Sequence, residues 1–164
     1  MADIKFVRAA STLNDDQALN EVVGAINLNP YDSRYYGLGS KVILIKISEE
    51  LGRKNQDSQV KNKIANLIQG LFDITKKATD KNPYDSANWS NRAFSYQSLA
   101  GVVGGVEDLA IQYYNEALKL NPNKSSIYNK IGQIYLARSD FNTNLAATQV
   151  NNPNRTKIIS QSRE

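Results

Sequence analysis

Catalysis needs groups that donate, accept or attack, and this sequence offers few of them. It contains no histidine and no cysteine. That excludes disulfides, zinc sites built on Cys or His, haem ligation by His, and Cys nucleophiles. A serine nucleophile would have no imidazole to take its proton. Carboxylate or lysine chemistry is what remains. The carboxylates come as adjacent pairs, Asp15-Asp16, Glu49-Glu50 and Glu107-Asp108. Neighbours on a helix point about 100° apart, so no pair converges on one substrate. Helix capping or solvation accounts for the first and third pairs. The stretch Gly101-Val102-Val103-Gly104-Gly105-Val106 has the glycine density of a phosphate loop, but no Lys-Ser or Lys-Thr follows it and no strand pattern precedes it. It reads as a link between two helices, with Glu107 and Asp108 at the electropositive start of the second. The expectation is a protein that is not an enzyme, with no cofactor and no metal.

The chain has 164 residues, 41% hydrophobic and 22% charged, which fits one soluble globular unit with a real core. The longest aliphatic run, Val42 to Ile45, is closed by Lys41 and Lys46. A membrane span needs roughly 20 apolar residues. Met1 to Leu13 lacks the apolar run of a secretory signal. The chain therefore reads as soluble, cytoplasmic by default, with no membrane span of its own. Its net charge of +4 comes from 20 Lys plus Arg against 16 Asp plus Glu. The basic residues are scattered, in runs no longer than Lys76-Lys77 or Arg53-Lys54, whereas nucleic-acid binders gather them on one face. A solvated surface is expected, and no nucleic-acid partner. Asn88-Trp89-Ser90, Asn123-Lys124-Ser125 and Asn154-Arg155-Thr156 match the glycosylation acceptor pattern. With 19 Asn in the chain, such matches arise by chance.

The elements that would position any site are set by a repeat. Asn29-Pro30-Tyr31-Asp32-Ser33 recurs as Asn82-Pro83-Tyr84-Asp85-Ser86, and more loosely as Asn121-Pro122-Asn123-Lys124-Ser125. Proline cannot continue a helix and pushes the preceding residue out of the α region. Asp32 or Ser33, Asp85 or Ser86, and Ser125 or Ser126 can then cap the next helix. Each copy reads as helix stop, tight turn, helix start. Between the copies the apolar residues recur with period 3.6: Ala18, Val22, Ala25 and Ile26; Ile64, Leu67, Ile68, Leu71, Ile74 and Ala78; Ala110, Tyr113, Tyr114, Ala117 and Leu118; Tyr128, Ile131, Ile134 and Tyr135. The pattern predicts helices near 3–12, 16–28, 33–51, 57–80, 86–100, 106–119 and 125–138, no strands, and short turns joining neighbours into antiparallel hairpins.

These residues resemble the tetratricopeptide repeat family, whose helix pair carries W-x2-L-G-x2-Y, then A-x3-F, then Pro, over roughly 34 residues. Trp89 and Tyr96 open one copy, Ala110, Tyr114 and Ala117 form its second helix, and Pro122 closes it. Tyr128, Ile131, Gly132 and Tyr135 open the next. Tyr36, Gly39, Ser40 and Ile43, followed by Leu71, Thr75, Ala78 and Pro83, form an earlier, weaker copy. The first shows only its second half, Ala18, Val22, Ala25 and Pro30. The chain departs from the family where Arg92 replaces the usual Leu and where the interval from Pro30 to Pro83 is well above the family period. The extra length falls in two elongated helices ending near Leu51 and starting near Asp57, and a smaller excess falls in the turn from Gly101 to Val106. The resemblance implies an all-α, right-handed αα-hairpin solenoid with irregular repeat lengths, over residues 1–138. The uneven spacing also resembles the soluble repeat tail of bacterial membrane proteins related to O-antigen ligases and polysaccharide polymerases, which would make the chain an accessory tail whose chemistry lies elsewhere.

In the family, the first helix of each pair lines a concave groove. The resemblance places Arg34, Lys41, Asn91, Asn129, Lys130 and Gln133 there. Members that grip acidic C-terminal peptides use Lys, Arg and Asn in comparable places, and Lys41, Asn91 and Lys130 resemble such a clamp. Gly37 and Ser126 stand where those members are basic, and an ordinary wet helix face is the competing reading. The implied role is a protein-interaction scaffold that binds a peptide or helix of a partner protein. Residues 139–164 are rich in Asn, Ser and Thr and read as a tail or an incomplete repeat. Ile127, Ile131, Ile134 and Leu136 then need a cover: a short helix near 155–162, a second copy forming a homodimer through this end, or a helix missing from a fragment.

Overall fold

The structure is a computed structural model that describes residues 1–13 and 16–148. Among these residues the chain is all-helical, with seven helices and no strand: α1 (Ala2–Ser11), α2 (Asp16–Leu28), α3 (Ser33–Leu51), α4 (Ser58–Lys81), α5 (Ser86–Gln97), α6 (Val106–Leu120) and α7 (Ser125–Thr148). Two compact units divide it. Met1–Pro122 contains α1 to α6, and the unit beginning at Asn123 contains α7.

The Asn-Pro segments end and restart helices as the backbone chemistry requires. The amide N–H groups of Asn29, Asn82 and Asn121 donate to the carbonyls of Ala25, Ala78 and Ala117, at 3.0, 3.1 and 3.0 Å, closing the last turn of α2, α4 and α6. Asn82 and Asn121 then leave the helix in extended conformations, φ −139° and −145°, because the following proline forbids the α region. Asp32 and Asp85 cap the next helices. Each carboxylate accepts a backbone N–H two residues on, from Arg34 at 3.0 Å and from Ala87 at 2.8 Å. The following helix also ties off the preceding turn. Tyr36 Oη donates to the Pro30 carbonyl at 2.9 Å, and Trp89 Nε1 donates to the Pro83 carbonyl at 2.7 Å.

In the first unit α1 packs chiefly on α2, α3 on α4, and α5 on α6, so consecutive helices form hairpins. The hairpins are joined by contacts of α2 with α3 and of α4 with α5, and α3 also meets α1 and α5. Ala9, Val22, Ala25, Ile26, Tyr35, Tyr36 and Ala78 make one buried cluster, with Phe6, Leu38 and Ile74 packed against it. Small residues set how closely the helices approach. A Cβ on Gly39 would stand 2.5 Å from Ile74 Cδ1 and 2.9 Å from Val22 Cγ1, so the absent side chain is what lets α3 lie against both neighbours.

Two boundaries differ from the periodicity by more than one residue. α5 ends at Gln97 rather than near 100. At Leu99 and Ala100 the N–H groups bond three residues back, to Tyr96 and Gln97, so the chain tightens into turns ahead of Gly101 at φ +81°. Gly105, at φ +74°, provides the left-handed residue that starts α6. α7 runs to Thr148 instead of stopping near 138. No Pro or Gly interrupts 133–148, so polar composition alone does not end the helix. The remainder of the expected tail, 149–164, lies outside the described residues.

Candidate functional site

α3 has more apolar residues than one buried face can use. Val42 and Ile43 are buried, whereas Leu44 and Ile45, next in sequence, are only partly so. With about 100° per residue, four consecutive aliphatics must wrap around much of the helix. The surplus faces an open groove of about 570 Å³ between α3 and α5. Gly37, Ser40, Lys41, Leu44, Ile45 and Ser48 of α3 line one wall, and Asn91, Phe94 and Ser98 of α5 line the other. Ser40 Oγ is turned back onto the Tyr36 carbonyl at 2.9 Å, so it offers the groove no free hydroxyl. Phe94 is 45% exposed. Lys41 is exposed, and among the described residues it has no ion-pair partner. The groove is thus an apolar floor of Leu44, Ile45 and Phe94 beside one cation and the Asn91 amide.

Of the six residues placed in a groove by sequence, two meet there, Lys41 and Asn91. Arg34 is committed elsewhere, at the start of α3. Its guanidinium holds Asp32 at 2.6 and 3.0 Å and Asp3 at 3.2 Å, and lies 5.6 and 5.7 Å from the ring centres of Phe6 and Tyr35. The hydrogen bond from Arg34 holds the Asp32 carboxyl below its usual range, and the same pair raises the Arg34 pKa. Asn129, Lys130 and Gln133 lie on α7 in the second unit, where Asn129 and Gln133 are exposed and Lys130 is half-buried. Sequence reasoning did not pick out Leu44, Ile45 and Phe94. The four-aliphatic run was the available signal, since no single helix face holds it.

A second cluster lies where α4, α5 and α6 meet. Arg92 holds its guanidinium 4.1 Å from the centre of the Tyr113 ring, with Nη1 donating to Thr79 Oγ1 at 2.9 Å. Tyr96 stacks on Phe72 at 4.3 Å and meets Tyr113 edge-on at 5.1 Å, and Trp89 lies 6.1 Å from Tyr113. Burial, then the neighbouring Tyr113, raises the Tyr96 pKa, and burial raises that of Tyr114, whose hydroxyl donates to Gln97 Oε1 at 2.8 Å. These phenols stay protonated near neutrality, and the cluster is a packing seam. The anchors of the last repeat differ: Tyr128 and Tyr135 are about half exposed.

The carboxylate pairs resolve individually. Glu50 is buried and ion-paired to Arg53 at 2.7 Å and Lys63 at 2.6 Å across the tip of the α3–α4 hairpin. Glu107 and Asp108 occupy the first turn of α6. Asp15 and the Asp16 side chain lie outside the described residues, as does Asn154-Arg155-Thr156. Among the described residues no three acidic groups gather closely enough to hold a metal ion, and no helix is long and apolar enough to cross a membrane. Asn88 of the first glycosylation match is buried, with Nδ2 donating to the Ala78 and Asn82 carbonyls at 3.1 Å. No protein-family model matches the chain, and no curated protein matches it significantly.

Proposed function

We propose that the chain is a non-catalytic binding scaffold of the tetratricopeptide repeat type, taking a peptide or helix of another protein in the groove between α3 and α5. The observation that carries this reading is the groove itself, where a lysine with no ion-pair partner among the described residues and an asparagine amide stand beside half-buried Leu44 and Ile45 and exposed Phe94. Three successive hairpins, each closed by an Asn-Pro turn or its equivalent, support a solenoid assembly for the first unit. An apolar side chain flanked by a carboxylate is the chemistry such a groove recognises: the side chain covers the floor and the acid meets Lys41.

The test is fluorescence anisotropy with a library of labelled peptides ending in an apolar residue followed by Asp or Glu. Peptides selected on the wild-type protein should lose about tenfold in affinity with Lys41→Ala, the worth of one charge-assisted hydrogen bond. Ser48→Trp, at an exposed position on the groove wall, should block binding without touching the core. Unchanged affinity in both variants would remove the proposal.

A further inference from the structure

Gly37 lies on α3 in the middle of the groove wall, and no feature of its backbone demands glycine: only Gly101 and Gly105 have positive φ among the described glycines. Glycine inside a helix costs stability relative to alanine. What lies over it is Asn91 of α5. A Cβ on Gly37 would stand 2.8 Å from Asn91 Nδ2, 3.5 Å from its Cγ and 3.6 Å from its Oδ1, so the amide, nitrogen end nearest, takes the space a side chain at 37 would fill. Among the described residues that amide makes no hydrogen bond that would hold it in place. Both residues line the same groove. Contact with Gly37 is therefore what fixes where the donor and acceptor of Asn91 are presented.

We infer that Gly37 is a positioning residue for Asn91: by lacking a side chain it leaves the space that the Asn91 amide occupies against α3, in the groove that Lys41 also lines. This rests on the groove being a peptide site. A methyl group at position 37 displaces the amide toward the groove, changing what it can bond and how much floor remains open. The Lys41 ammonium and the Leu44 floor are left as they were. The effect passes through Asn91 alone, so it vanishes when residue 91 has no amide.

The experiment is a double-mutant cycle of Gly37→Ala and Asn91→Ala in the 164-residue chain, read in two ways. The first readout needs no ligand: the side-chain amide resonances of Asn91 in a 15N–1H spectrum, and thermal stability. Gly37→Ala should shift the Asn91 amide pair while leaving the Trp89 indole resonance in place. It should raise Tm in the Asn91→Ala background, where the gain in helix propensity is unopposed, and raise it less or lower it in the wild-type background. The second readout is affinity for the acidic peptides selected above. Each single variant should weaken binding by about fivefold, the worth of one hydrogen bond, and the double variant by no more than either. Additive losses, or an Asn91 amide pair that Gly37→Ala leaves unmoved, would overturn the inference. Should wild-type protein bind none of the peptides, the peptide reading falls and the ligand-free readout still decides the role of Gly37.

Discussion

Gly39 and Arg92 stand at the same place in successive repeats, nine residues beyond Pro30 and Pro83, and solve one packing problem in opposite ways. Gly39 yields its space to Ile74 and Val22, whereas Arg92 fills the space itself and lays its guanidinium on Tyr113. A leucine at position 39 would overlap both neighbours. Gly39→Leu should therefore lower stability by about 2–3 kcal/mol in urea denaturation, despite a better helix propensity. Gly70 is the contrast, because nothing lies within 4 Å of the Cβ it lacks. Gly70→Ala should raise stability by about 0.5–1 kcal/mol. Asp32 gives a pH prediction. Its carboxyl is held below its ordinary pKa in the folded chain, so below about pH 4 the unfolded state takes up the proton first. The stabilisation is complete above that pH and disappears as pH falls through the folded-state pKa. Asp32→Asn keeps the cap, since Asn caps as well as Asp, but loses the charge. Acid titration of its stability should be flatter below pH 4 than that of wild type. At the first two turns the sequence narrowed the cap to Asp or the following Ser, and the structure selects Asp32 and Asp85. The commitment of Arg34 to Asp3 and Asp32 was not legible from sequence, because its second partner is on α1 and no local pattern announces a contact between helices.

Helix existence and most ends followed from the period of apolar residues and the Asn-Pro turns. The differences at α5 and α7 arose where a boundary depends on weak local terms, a tightening turn or the simple absence of a breaker. The long α3–α4 hairpin is the irregular element, and its tip is organised by polar groups that the apolar pattern cannot reveal. Gln56 Nε2 donates to the carbonyls of Glu50 at 2.9 Å and Arg53 at 3.0 Å, and the buried Glu50 holds Arg53 and Lys63. Exposure decides which partner matters more. The Glu50 side chain is 5% exposed, against 55% for Arg53 and 56% for Lys63. Losing the acid frees two cations that water can solvate, while losing both cations leaves a buried carboxylate alone. Thermal or urea unfolding should show Arg53→Ala with Lys63→Ala costing about 3 kcal/mol and Glu50→Gln about 1 kcal/mol. The reverse order would mean that the carboxylate reaches water.

At the scale of the whole molecule, Met1–Pro122 is one compact unit that holds α1 to α6, tied internally by contacts such as Ser86 to Ala117, Arg92 to Thr79, Tyr114 to Gln97 and Lys63 to Glu50. A chain ending at Pro122 should therefore unfold in one cooperative transition by circular dichroism, and loss of its helical signal would contradict that. Only the polar pair of the candidate site was legible, for a physical reason. Lys41 and Asn91 follow from a repeat register, which sequence carries, whereas the apolar floor depends on how far α3 and α5 stand apart, which it does not. The central claim is that this groove is where a partner peptide lies. Backbone and side-chain chemical-shift mapping during titration with a selected acidic peptide tests it most directly. The account predicts saturable shifts confined to the surroundings of Gly37, Lys41, Leu44, Ser48, Asn91 and Phe94, abolished by Ser48→Trp. Saturable shifts centred on any other surface, or persisting in Ser48→Trp, would contradict it.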